Sequence, residues 1–134
     1  THEELFLMTV GEREMRQLTY YPEENSSAKD FGYRAGAAKW HPTENFISYI
    51  SLQEGRHSIF AVTPDGKKQW KLLDNALSDG YHDWSADGKW LTFNEADVNE
   101  TQYHIMLMNW KTKEKKQLTD TTYKSQLSPV FVER

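Results

Sequence analysis

Three stretches of the chain share one pattern of apolar and polar positions. Leu5-Phe6-Leu7-Met8, Ile59-Phe60-Ala61-Val62 and Ile105-Met106-Leu107-Met108 align as short apolar cores. Thirteen residues after the start of each lies a second anchor, Leu18, Leu72 and Leu118, and the triplets Gln17-Leu18-Thr19 and Gln117-Leu118-Thr119 are identical. A third anchor is aromatic: Trp40, Trp84 and Phe131. Seven residues beyond the two tryptophans come Ile47-Ser48-Tyr49 and Leu91-Thr92-Phe93. These segments are rich in Ile, Leu, Phe, Tyr, Trp and Thr and are separated by turn residues, Pro42-Thr43-Glu44-Asn45, Asp65-Gly66 and Asp87-Gly88. An Asp-Gly pair supplies the positive φ of a tight hairpin at little steric cost. No stretch holds a period of 3.6 over three turns, so the pattern predicts strands and no long helix.

The predicted strands are Leu5–Val10, Met15–Tyr20, Ala37–His41, Phe46–Leu52, Ser58–Thr63, Gln69–Asp74, Tyr81–Ser85, Trp90–Asn94, His104–Asn109, Lys115–Asp120 and Pro129–Glu133. Trp40 and Trp84 are 44 residues apart, and Ile59 and Ile105 are 46 apart. A period in this range is the length of a four-stranded propeller blade. The expected fold is therefore all-β: four-stranded antiparallel blades in an incomplete ring. Residues 1–134 form one domain, with a half blade and a long loop over 1–35, blades over 36–79 and 80–126, and the first strand of a further blade over 127–134. The second strands carry apolar groups on both faces (Phe46 with Ile47, Trp90 with Leu91), as expected of a strand covered on both sides.

Composition narrows the function. With 134 residues, no Cys, 16 Lys+Arg against 20 Asp+Glu and a net charge of −4, the chain lacks the basic face that a phosphate backbone needs. The absence of Cys removes disulfides, thiol nucleophiles and Cys-based zinc sites. No apolar run is long enough for a membrane-spanning helix. The chain opens at Thr1, with no initiator Met and no apolar leader. The expectation is a removed targeting segment or a piece of a longer protein.

Trp84-Ser85-Ala86-Asp87-Gly88-Lys89-Trp90-Leu91-Thr92-Phe93 closely resembles the core of the TolB-type (WD40-like) β-propeller repeat, W-S-P-D-G-K-x-[LI]-x-F, with Ala86 where Pro is usual. Ile105–Met108 and Gln117-Leu118-Thr119 are similar to the second half of that repeat. The middle copy is more degenerate: Trp40-His41-Pro42 and Tyr49 fit, while Thr43-Glu44-Asn45 replaces the Asp-Gly-Lys turn. The resemblance implies a scaffold rather than a chemistry. It also implies a ring of six or seven blades, so an open arc must be the remainder of a longer propeller or must self-assemble. In the second case the strand Pro129–Glu133 of one chain completes the half blade of another.

Candidate binding residues follow from chain spacing and from the resemblance. Leu18 to Trp40 spans 22 residues, whereas Leu72 to Trp84 spans 12. The additional loop holds Tyr20, Tyr21, Phe31, Tyr33 and Arg34, a composition typical of contact surfaces. Read otherwise, it is an insertion without a role, as Glu23-Glu24-Asn25-Ser26-Ser27 suggests. His41, Tyr81 and His82 fall on the first strands of successive blades, near the channel mouth of such a ring, and complete the candidate partner-binding set. Some metal-dependent lyases built on this repeat use channel histidines. However, His41 follows its Trp while His82 precedes Trp84 by two, so their side chains are not equivalent, and a solvated or hydrogen-bonded histidine accounts for each. His57 and His104 begin third strands and suggest no site. Asp65 and Asp87 are turn formers, Trp40 and Trp84 blade-packing residues. Lys111, Lys113, Lys115 and Lys116 form a solvated edge. No Ser/His/Asp arrangement or nucleophile elbow is present. Asn25-Ser26-Ser27 and Asn99-Glu100-Thr101 match a glycosylation sequon, a pattern that also arises by chance.

The function expected is a non-enzymatic, TolB-like binding or scaffold module that recognises a protein or peptide partner in the periplasm. It has no cofactor, no metal, no nucleic-acid partner and no membrane insertion. Two alternatives stand beside it, the gating propeller of a prolyl-oligopeptidase-type serine peptidase and part of a metal-dependent propeller lyase acting on acidic sugars. A cytoplasmic location is the alternative to the periplasm.

Overall fold

A computed structural model describes residues 3–21, 34–53 and 55–132. Ten strands follow in chain order: β1 (Phe6–Met8), β2 (Met15–Gln17), β3 (Arg34–Trp40), β4 (Ile47–Gln53), β5 (Arg56–Val62), β6 (Gln69–Lys71), β7 (Asp79–Trp84), β8 (Trp90–Ala96), β9 (Tyr103–Asn109) and β10 (Lys115–Gln117). No helix occurs among the described residues. Every named strand pairs antiparallel with its neighbour in sequence. The result is a two-stranded sheet β1-β2 and two four-stranded meanders, β3-β4-β5-β6 and β7-β8-β9-β10.

The repeat anchors have a hydrogen-bond meaning. Leu18, Leu72 and Leu118 each donate their N–H to the carbonyl of Leu5, Ile59 and Ile105 at 2.8 Å. The thirteen-residue spacing is thus the closing rung between a blade's third and fourth strands. The identical Gln-Leu-Thr triplets repeat their side-chain bonds as well. The Thr19 and Thr119 hydroxyls accept the N–H of Leu5 and Ile105 at 2.9 Å. The Gln17 and Gln117 amides reach the carbonyls of Thr19 and Thr119 at 2.8 and 2.6 Å. The fourth strands stop at this rung, three residues short of the expected Tyr20, Asp74 and Asp120, because the chain has met its last ladder partner.

The first strands differ from expectation in the other direction. β3 begins at Arg34 rather than Ala37, and β7 at Asp79 rather than Tyr81. Each is carried through a bulge, between Gly36 and Lys39 in β3 and between Asp79 and His82 in β7. Gly36 and Gly80 occupy the same repeat position but not the same surroundings. A Cβ at Gly80 would lie 2.3 Å from Nδ2 of the buried Asn94, whereas one at Gly36 meets nothing within 4 Å among the described residues. Gly80→Ala should therefore cost about 1–3 kcal/mol by overpacking, while Gly36→Ala stays within about 0.5 kcal/mol of the parent. Chemical denaturation of both variants checks this, and equal losses would contradict the asymmetry.

The chain divides into two compact units, residues 1–40 with 45–74, and residues 41–44 with 75–134. In the first, Leu5, Leu18, Ala35, Ile47, Tyr49 and Val62 form a buried core, so the β1-β2 pair is packed with the β3–β6 sheet. In the second, Leu91 and Phe93 are fully buried, and Trp84, Met106 and Met108 nearly so. β4 is buried on both faces from Ile47 to Tyr49, as its two-sided apolar pattern predicts, and β8 from Leu91 onward, but Trp90, expected to be covered with Leu91, is 39% exposed.

Two expectations are corrected. The described part of Pro129–Glu133, residues 129–132, is not a strand. A lone strand without a partner has no ladder to join, and the Phe131 N–H instead donates to the Asp83 carboxylate at 2.9 Å. Trp40 is 52% exposed and does not match Trp84, which is 6% exposed.

Candidate functional site

A polar cluster recurs at one repeat position in both units. In the first it is neutral. Tyr21, three residues past Leu18, places its hydroxyl 3.0 Å from the Tyr49 hydroxyl and accepts a bond of 3.0 Å from Ser51. The Gln69 amide donates to both tyrosine hydroxyls, at 3.1 Å to Tyr21. Gln53 bonds Ser51 at 3.1 Å. Glu4 fixes the arm that carries Tyr21, accepting its N–H at 2.8 Å and the Thr19 hydroxyl at 2.5 Å. Burial, aided by the Tyr21 hydroxyl, holds the Tyr49 phenol protonated well above its ordinary range.

In the second unit the same positions are charged. Asn75, three residues past Leu72, donates its amide to Asp79 Oδ1 at 2.8 Å and to Glu95 Oε2 at 2.9 Å. Asp79 and Glu95 are Cα partners across β7 and β8 and are 1% and 6% exposed. Lys115, the repeat equivalent of Gln69, places Nζ 2.6 Å from Glu95 Oε2. Ser51 and Glu95 correspond, as do Tyr21 and Asn75. A carboxylate taken out of water needs a charged partner and several donors, and Lys115 and Asn75 supply them. The cluster clamps the start of a blade's first strand to the end of its second, and its carboxylates are engaged in doing so. The sequence singles out Tyr21 by its loop, Tyr49 by the repeat and Lys115 by its basic run, but no motif joins these residues into a cluster. The signal that would find them is the three-residue step from the Leu anchor, read against the Gln69 and Lys115 alignment.

His41 has a comparable structural task in the second unit. The residue is 4% exposed, and Nδ1 accepts the N–H groups of Thr43 and Glu44 at 3.2 and 2.9 Å. It lies edge-on to Trp84, centroids 4.4 Å apart, and Trp84 meets Trp110 at 5.0 Å. His82 is 3% exposed on β7. Of the other expected binding residues, Tyr20 is 73% exposed, Arg34 is exposed at the start of β3, and Tyr81 is 52% exposed on the β7 bulge. Phe31 and Tyr33 lie outside the described residues, as does most of the loop that holds them.

The turn aspartates are accounted for locally. Asp65 Oδ1 accepts the Thr63 hydroxyl and the Lys67 N–H, and Asp87 Oδ1 accepts the Ser85 hydroxyl and the Lys89 N–H. The Ser85 bond, with the Lys89 contacts, pulls the Asp87 carboxyl down to about 2. Among the described residues no group of three or more His, Asp or Glu side chains is placed to hold a metal ion, and no helix is long and apolar enough to cross a membrane.

No protein-family model matches the sequence, and no curated protein does. Solved structures do match. A putative TolB from Agrobacterium tumefaciens superposes with a TM-score of 0.67 at 18% identity, over 85% of this chain and 40% of that one. TolB from Acinetobacter baumannii gives 0.55 at 18%, over 81% and 24%. An oligogalacturonate lyase from Vibrio parahaemolyticus gives 0.52 at 17%, over 81% and 27%. This chain thus spans less than half the length of each. The meander sheets, the repeat rungs and these superpositions together identify the fold as four-stranded antiparallel β-propeller blades, similar to those of the TolB structures.

Proposed function

We propose that this chain is the display scaffold of a propeller that binds a protein or peptide partner of the cell envelope and contributes no chemistry of its own. The supporting observation is the setting of Tyr81. A bulge re-aims a side chain away from the regular alternation of its strand, and Tyr81 stands half-exposed on one, between the buried Asp79 and His82. The ionisable side chains at this end of the sheet are engaged in structure: Asp79, Glu95 and Lys115 clamp the blade. A rigid strand edge with an amphipathic tyrosine suits recognition better than turnover.

On this reading the TolB neighbours are the better guide, and the location is periplasmic. The test uses the full-length protein in its native cell, with a photo-crosslinking phenylalanine at position 81 and, as a control, at the exposed Val98. The expected result is one discrete adduct with an envelope protein from position 81 and none from position 98. Absence of any adduct at 81, or formation of unsaturated products from oligogalacturonate by the purified full-length protein, contradicts it. The second outcome would favour the lyase reading.

A further inference from the structure

We propose that His41 is a proton-operated clasp that holds the 41–44 turn against Trp84 and Trp110 at neutral pH and releases it in mild acid. The geometry carries this. One ring nitrogen, Nδ1, accepts two backbone N–H groups, from Thr43 at 3.2 Å and Glu44 at 2.9 Å. An imidazole nitrogen accepts only while unprotonated. Protonation at Nδ1 turns an acceptor facing two donors into a third donor, and both bonds go. The pattern is that of an Asx turn. Asn109 makes it in the β9–β10 hairpin, where Oδ1 accepts the N–H of Lys111 and Thr112, both at 3.0 Å. An amide oxygen does not titrate near neutrality. The histidine in this role does.

The surroundings leave the charged ring little room. Its side chain is fully buried, Trp84 lies 4.4 Å away and Trp110 6.0 Å away. A Cβ at Gly88 would come within 2.7 Å of the ring, so only glycine lets the hairpin close over it. Among the described residues, the charged groups near it sit on its own turn and on two hairpins. On its own turn, the Glu44 carboxylate lies 3.9 Å from Nε2 and also accepts the Trp110 indole N–H at 2.8 Å. From the β9–β10 hairpin, the Lys113 ammonium sits over the Trp110 ring, 2.8 Å from its centroid. On the β7–β8 hairpin, Asp87 and Lys89 pair with each other at 3.0 Å.

Burial lowers the pKa of His41, Lys113 lowers it further, and Glu44 and the Gly88 backbone oppose the shift. A folded pKa below the unfolded one makes the clasp complete above the ordinary histidine value of about 6.5. It is lost as pH falls through the folded value.

The test is a titration of the whole chain from pH 8 to 4.5, following tryptophan emission and histidine ring-nitrogen NMR. The expected result is a single-proton transition of His41 with its midpoint below 6.5, Nδ1 unprotonated above it, and the Thr43 and Glu44 amide signals moving with the same midpoint. His41→Asn, which keeps the acceptor and removes the proton, should abolish the emission change, while His104→Ala should retain it. A His41 midpoint at or above 6.5, turn amides that do not follow it, or an unaltered emission change in H41N overturns the proposal. The ring-nitrogen measurement needs no variant and decides the matter even where a substitution impairs folding.

Discussion

Replacing Lys115 with Met should lower the unfolding free energy by about 3 kcal/mol, read as a fall in the urea midpoint with an unchanged slope. The Glu95 side chain is 8% exposed, and Lys115 Nζ is 2.6 Å from it. Without the ammonium, a carboxylate is left inside the sheet with the Asn75 amide as a neutral donor. The loss sits at the low end of what breaking a buried pair costs, because Lys115 is itself about a third exposed. Two comparisons isolate the cause. Adding Glu95→Gln to Lys115→Met should recover much of the loss, since a neutral amide needs no counter-charge, and the double-mutant cycle then gives a clear coupling. Lys89→Met removes a contact of similar length, 3.0 Å to Asp87, but with both partners well exposed. Its effect should be far smaller than that of Lys115→Met, because water screens the pair. Equal effects at positions 115 and 89 would mean that the second unit's polar cluster is open to water.

The second large effect belongs to Trp84. Trp84→Ala should cost about 3–5 kcal/mol, the range for truncating a buried large aromatic. Its indole is nearly inaccessible and is boxed by the His41 and Trp110 rings. Trp40→Ala, at the equivalent repeat position, should cost clearly less, about 1–2 kcal/mol, because half of that residue already faces solvent. Thermal or urea unfolding of the pair gives the difference directly. Matching losses would restore the equivalence that the repeat suggests and contradict the burial described for Trp40.

That contrast shows what the sequence made legible. Elements set by near neighbours were readable: the Leu rungs, the Gln-Leu-Thr side-chain bonds and the Asp-Gly hairpins are each closed within one hairpin or one turn. Strand order followed, since within each sheet every strand pairs with the next in sequence. What depends on three-dimensional register was not readable. Asp79, Glu95, Asn75 and Lys115 come from two strands, an edge strand and a linker, and no local pattern brings them together. Trp40 and Trp84 share a motif, but only Trp84 meets the aromatic pair of a turn and a hairpin. His41 looked like an ordinary histidine because its task, accepting two N–H groups, is usually given to Asn, Asp or Ser. Pro129–Glu133 matched the aromatic anchor by composition alone, and composition does not supply a ladder partner.

The account rests on separate meander blades, and solution NMR of the chain tests that most directly. Backbone NOEs should connect Tyr49 with Phe60 in one sheet and Phe93 with Met106 in another, the registers that place both aromatic rings in buried rows. None should join Gln69–Lys71 to Asp79–Trp84. Cross-strand NOEs between those two segments would merge the sheets into one continuous barrel wall and contradict the propeller.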